Sequence, residues 1–274
     1  MKNLLSRSAL NVILLSVLVI HMVPIAVIFF NALRTNENVR RALLSFPESV
    51  QFDNFVSAWT TGNFLVAFIN TLVIGGGTVG VVLFVNVLAA YALTKLPVLG
   101  RDFFIGYFVV AIAVPSFAIV VPVYFGLSAL GLVNSKLGII IVYAAIFMPF
   151  SLLLMRSYFM GVPRDLEEAA LIDGCSELGA LLRITLPLAR PIIVTVVLIV
   201  FVHVYNEFLF ANVLLQGDDA RTVALSFYKF VGRFTEDTAT ISASAVIALA
   251  PMLALYFLTQ RRFVEGMAAG GLKG

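Results

Sequence analysis

The chain has 274 residues, 61% of them hydrophobic and only 12% charged, with a formal net charge of +3 and a mean hydropathy of +1.04. A soluble domain of this size carries about twice that charged fraction, so the surplus apolar surface must face lipid. Its Lys and Arg form no basic tract, which excludes a nucleic-acid partner, and with one cysteine and no Gly-Lys dipeptide it has neither a disulfide, a cysteine metal cage nor a phosphate-binding P-loop.

Six continuous apolar runs follow in chain order: 9–30, 66–93, 104–127, 138–155, 191–215 and 241–258. Each is near the roughly 20 residues a membrane-crossing helix needs, and none alternates as a barrel strand would. The first follows Lys2 and Arg7, as a signal peptide would. It exceeds the roughly 7–15 residues of a signal-peptide core and has no A-x-A site after it, so it is expected to remain as the first helix. Of the 18 Lys and Arg, eleven fall in segments that are cytoplasmic if the N-terminus is inside, and seven fall in the outer segments. That bias predicts six transmembrane helices with both termini cytoplasmic. Breakers recur inside the runs: Pro24, Pro115, Pro122, Pro149, Pro251 and the glycines Gly75-Gly76-Gly77 and Gly80. Gly76 and Gly80 have the spacing that lets two helices pack closely; the alternative is a set of hinges or cavity walls.

Between the fourth and fifth runs, residues 156–190 form a charged interruption, with residues 165–187 reading DLEEAALIDGCSELGALLRITLP. Asp165 and Glu168 have capping-box spacing, and Gly174 suits the left-handed residue that ends a helix. A second helix follows, with Leu178, Leu181, Leu182 and Thr185 on one stripe and Pro187 as its stop. Both helices are shorter than the roughly 12–15 residues needed to be even marginally stable alone, so they must dock on something. Lipid headgroups are a poor fit, because Glu167, Glu168, Asp173 and Glu177 outnumber Arg164 and Arg183 near an anionic leaflet. A cytoplasmic protein partner fits better.

Glu168-Ala169-Ala170, then Gly174, Ile184 and Leu186-Pro187, at these spacings, resemble the EAA loop of bacterial ABC importer permeases. Tyr205-Asn206-Glu207-Phe208, the stretch from Pro115 through Pro122 and Tyr124 to Gly131-Leu132, and the tail Arg261-Arg262-Phe263-Val264-Glu265-Gly266 with Gly270-Gly271-Leu272-Lys273-Gly274 are similar to the carbohydrate uptake transporter-1 branch, in particular its maltose-type second permease. Tyr205 stands where that branch often has Trp.

The resemblance implies the all-α type I ABC importer permease fold as one domain, with a cytoplasmic coupling loop at 156–190 and a cytoplasmic tail at 259–274. It implies a multi-pass subunit of the bacterial inner membrane, itself not an enzyme and without catalytic residues, metal or cofactor, serving an ATP-driven sugar importer. The expected partners are a second permease, a homodimeric ATPase that binds the ATP and Mg, an extracytoplasmic sugar-binding protein, the sugar and the lipid bilayer. The ATPase-coupling residues would be Glu167, Glu168, Ala169, Ala170, Asp173, Gly174, Ile184, Leu186 and Pro187. An importer of amino acids, polyamines or phosphonates is the alternative, and an ion-driven secondary transporter a more distant one.

Within the fifth run, Tyr205, Asn206 and Glu207 are the candidates for a substrate pathway. A carboxylate at a helix centre costs about 2.5–3.5 kcal/mol on insertion scales, so Glu207 must face a cavity or a partner. His203 lies four residues earlier and offers one such partner on the same helical face. The other histidine, His21, is far away in the first run, which leaves no zinc-binding pair.

Overall fold

The computed structural model describes residues 2–233 and 237–271, and among these every regular element is helical. In chain order the first helices are α1 (Lys2–Ala32), α2 (Asn36–Arg41), α3 (Asp53–Thr61) and α4 (Phe64–Lys95). Then come α5 (Arg101–Ile112), α6 (Ser116–Ala129), α7 (Lys136–Met160), α8 (Arg164–Ile172) and α9 (Glu177–Ala180). A π turn (Leu181–Thr185) joins α9 to α10 (Leu186–Leu188), followed by α11 (Arg190–Asn206), α12 (Leu209–Leu214), α13 (Val223–Arg233) and α14 (Thr238–Gly271). Among the described residues four helices are long and apolar enough to cross a membrane, or up to six spans if each of two bent pairs counts as one.

The chain divides into two compact units. The smaller comprises Met1–Leu65 with Ser226–Leu253. Here Arg34 is buried and donates to the Asn31 side chain at 3.0 Å and to the Ala42 carbonyl at 2.7 Å, so a cation closes the turn after α1. Phe64 stacks between Trp59 and Phe230 in the same unit.

The larger unit comprises Val66–Leu225 with Ala254–Gly274 and holds the main apolar core. In α4 the glycine run does not bend the helix. A Cβ at Gly75 would lie 2.8 Å from the Phe201 ring, and one at Gly77 would lie 2.7 Å from Ile140. Gly76 and Gly80 meet open space. The close-packing glycines are therefore Gly75 and Gly77, not the expected Gly76 and Gly80; two different neighbours are seated, one on α11 and one on α7.

Two apolar runs prove to be broken. The third bends by 101° between α5 and α6. Pro115 is the N-cap of α6, at φ −66° and ψ 123°; its missing N–H and its ring disfavour a helical Val114. The fifth run stops at Asn206 and restarts at Leu209, with Glu207 extended at φ −71°, ψ 124°. The sixth runs past the expected end at residue 258, because α14 continues to Gly271 with no proline beyond Pro251 to stop it. The tail residues Leu272-Lys273-Gly274 lie outside the described residues.

Candidate functional site

Two places concentrate polar chemistry in the larger unit. The first is the charged interruption. Pro163 caps α8 with no side-chain bond, and the helix has begun by Arg164. The expected capping box of Asp165 and Glu168 therefore does not form; Asp165 instead faces the positive end of the helix dipole from inside the first turn. The C-terminus follows expectation. Gly174 sits at φ +85°; its N–H bonds the Leu171 carbonyl at 3.1 Å, and Cys175 N–H bonds the Ala170 carbonyl at 2.9 Å. These are the two bonds of a Schellman closure, which requires the left-handed residue.

Pro187 does not stop the next helix. Leu186 N–H reaches back five residues to the Leu181 carbonyl, making the π turn, and the chain bends by 77° only where Leu188 gives way to Arg190. Proline has no N–H to lose, so the irregular turn carries it without an orphaned donor. The wider turn also splits the expected stripe: Leu181 and Thr185 are buried, whereas Leu178 and Leu182 are exposed.

The predicted coupling residues divide in the same way. Glu168, Ala169, Asp173, Gly174 and Pro187 are exposed, and Ala170, Ile184 and Leu186 are half-buried. Ile172 is 86% exposed and Leu166 47% exposed, so an unpaired apolar strip runs beside Glu168. Glu167 departs from that set. It is only 5% exposed and turns inward to Lys95 and to the Thr185 hydroxyl, which donates to its Oε1.

The second place is a cavity of about 370 Å³, lined among others by Ser116, Phe147, His203, Asn206, Glu207 and Phe210. Both helix breaks border it. Irregular backbone at membrane depth persists only where protein covers it or water fills a cavity, which ties the Pro115 and Glu207 breaks to this space. Asn206 is exposed here, its amide donating to the Val202 carbonyl at 2.8 Å. The His203 Nδ1 lies 2.7 Å from the Ile199 carbonyl, so in the neutral ring Nδ1 carries the proton and Nε2 is left as an acceptor. The Phe147 ring packs 5.5 Å from the imidazole.

Glu207 is not held by His203. The helix ends one residue before it, so the four-residue spacing no longer puts the two side chains on one face. Instead its Oε1 accepts Phe210 N–H at 2.9 Å, and its Oε2 accepts Ala211 N–H at 3.1 Å and the Tyr143 hydroxyl. The carboxylate thus caps α12 with two of the N–H groups that a helix start leaves unpaired. Tyr205 is buried, its ring 6.4 Å from that of Phe201, and it does not line the cavity. Of the three candidates, the structure brings Asn206 and Glu207 to the cavity and leaves Tyr205 in the packing.

Sequence reasoning missed Ser116, Phe147 and Tyr143. Pro115 marked the break that exposes Ser116, but nothing in the local sequence pointed to Tyr143 or Phe147.

The broken apolar helices around a polar-edged cavity, with an amphipathic segment outside them, define a multi-pass membrane transport subunit. The chain belongs to the family of binding-protein-dependent transport system inner membrane components, whose pattern matches residues 83–268. Subunits of this family are non-catalytic membrane components that work with separate ATPase subunits, a second permease and a solute-binding protein. The chain is 33% identical to the probable ABC transporter permease protein YurM of Bacillus subtilis, over 92% of this chain and 83% of that protein. It is 30% identical to the sulfoquinovosyl glycerol transport system permease protein SmoH of Agrobacterium fabrum, over 100% of this chain and 97% of that one. The trehalose transport system permease protein SugB of Mycobacterium tuberculosis is 31% identical over 92% and 93% of the two chains. A chain in the crystal structure of a bacterial ABC transporter involved in the import of the acidic polysaccharide alginate superposes with a TM-score of 0.81 and 26% identity, covering 93% of this chain and 96% of that one.

Proposed function

We propose that this chain is a permease subunit of an ATP-driven sugar importer in the bacterial inner membrane, forms half of the translocation pathway, and receives the ATPase stroke through α8. The cavity bordered by both helix breaks is the observation that carries the pathway reading, since a neutral sugar needs hydroxyl partners and an aromatic wall. Asn206 and the Nε2 of His203 are suited to the first role and Phe147 to the second. The names of several relatives support sugar as the cargo class. For coupling, the exposed strip of Leu166, Ala169 and Ile172 beside Glu168 supports docking in a cleft of the ATPase. ATP and Mg belong to a homodimer of those ATPase subunits, and this chain binds no cofactor. An extracytoplasmic sugar-binding protein delivers the substrate, and both termini lie in the cytoplasm.

The test is reconstitution with the second permease, the ATPase and the binding protein in proteoliposomes. ATP-dependent uptake of labelled oligosaccharides is expected; uptake of amino acids, polyamines or phosphonates in their place would overturn the sugar reading. A cytoplasm-dependent reporter fused near Gly179 should be active and one near Asn38 silent, and the reverse would overturn the orientation.

A further inference from the structure

The transport reading leaves the buried pair Lys95 and Glu167 without a role. Lys95 is the last residue of α4, and its Nζ lies 3.1 Å from Glu167 Oε2, with the two side chains 4% and 7% exposed. The same ammonium donates to the Val162 carbonyl at 2.8 Å. Nearby, Arg164 donates to the Thr94 carbonyl at 3.4 Å, and the Tyr91 hydroxyl donates to Glu177 at 3.1 Å.

Tyr91, Thr94 and Lys95 stand at i, i+3 and i+4, on one face of the last turn of α4. Their partners span the entry to α8, its first two turns and the start of α9, while Thr185 in the π turn is joined through Glu167. The charged segment is therefore bolted to a helix that is not its neighbour in the chain. Of its covalent neighbours, α7 adds one long side-chain bond, from the Tyr158 hydroxyl to the Leu188 carbonyl at 3.4 Å, whereas the polar grip on α8 itself comes from α4.

A buried ion pair is weak evidence for stability. Two well-packed apolar side chains of similar volume often hold a fold as firmly, since neither charge must then leave water. What a pair with directed hydrogen bonds adds is a single geometry between the two elements. We infer that Lys95 and Glu167 are positioning residues for energy coupling: they make α8 and the end of α4 move as one body, so that displacement of α8 is delivered to α4. Through Gly75 and Gly77, α4 is in turn seated without a gap on Phe201 of α11 and Ile140 of α7. This inference rests on the coupling role proposed above for α8.

The test uses the whole transporter in proteoliposomes and reads sugar imported per ATP hydrolysed, in complexes first shown to be assembled. The double variant Lys95→Met/Glu167→Leu should assemble and hydrolyse ATP, yet import per ATP should fall by about tenfold, within the range of ordinary coupling energies. Wild-type import per ATP in that assembled variant would overturn the inference. Should the double variant not assemble, Thr185→Val and Tyr91→Phe decide, because each removes one hydrogen bond at nearly constant shape. Import per ATP is then expected to drop by about two- to threefold, and an unchanged ratio in both overturns the inference. Glu168→Lys on the exposed face separates the two levels. If it uncouples while the Lys95 set does not, only this inference fails; if it too leaves import per ATP unchanged, the coupling reading of α8 fails.

Discussion

Glu167 is a buried carboxylate and Glu207 a half-buried one at a cavity wall, and the chain satisfies them in opposite ways. Glu167 meets a full opposite charge from a distant helix, together with the Thr185 hydroxyl. Among the described residues no cation pairs with Glu207. Its donors are two backbone N–H groups of the helix it starts and the hydroxyl of Tyr143. The first arrangement joins separate elements; the second breaks one element and pins the break open beside a cavity. The lesson is that a satisfied acid in an apolar chain signals a structural discontinuity, and only its partners tell whether that is a clamp between helices or a gap within one.

The largest effect should come from breaking the clamp on one side only. Glu167→Ala leaves Lys95 buried and uncompensated, a loss of about 3–5 kcal/mol. The expected outcome is little assembled complex, measured by co-purification of the permease with its ATPase. Glu207→Ala should cost about 2–3 kcal/mol, since hydrogen bonds to a charged group vanish and the start of α12 is left unpaired. A double-mutant cycle sharpens the contrast. Glu207→Ala with Tyr143→Phe should show coupling above 0.5 kcal/mol, a typical floor for side chains in contact, whereas Glu207→Ala with His203→Ala should be additive. Recovery of assembly in the second pair would restore the histidine–glutamate pairing expected from sequence spacing and refute the capping role. Thermal unfolding of the detergent-solubilised complex reads all of these.

A smaller effect is expected at the end of α8. Gly174→Val forces a β-branched residue to φ +85°, at a cost of about 1–2 kcal/mol. Since the site lies outside the long helices, membrane insertion should persist while import per ATP declines. Insertion and coupling both at wild-type level would show that the left-handed turn is dispensable.

The apolar runs were legible because lipid exposure leaves no ambiguity about which residues may face it. The helix-ending glycine was legible because a single residue type supplies that conformation. What escaped was every feature decided by a distant partner. Glu167 and Glu168 are adjacent and chemically identical, and only the position of Lys95, seventy-two residues before Glu167, turns one inward and leaves the other exposed. In the same way the regular stripe from Leu178 to Thr185 assumed a regular helix, and the π turn that divides it depends on where Pro187 falls within the docked segment. Gly75 and Gly77 were read as part of one run, yet which glycine faces a neighbour is set by Phe201 and Ile140. Local chemistry could name the residues, but not choose among them.

The smallest effect tests whether the gap beside Glu207 is a pathway at all. Asn206 follows from the same helix end, but it caps nothing: its amide bonds the Val202 carbonyl within its own helix, and the side chain is exposed to the cavity. Asn206→Ala should therefore leave assembly and thermal stability within about 0.5 kcal/mol of wild type, as for other exposed positions. If its side chain meets sugar hydroxyls during transport, losing one such bond is worth about 0.5–1.5 kcal/mol, so uptake should fall by about two- to thirteenfold with binding-protein affinity unchanged. Uptake measured in proteoliposomes with saturating binding protein decides it. An Asn206→Ala transporter that assembles normally and imports at the wild-type rate would reduce the cavity to a packing defect around the Glu207 cap, and the comparison would then be between two structural acids, with the pathway lying elsewhere.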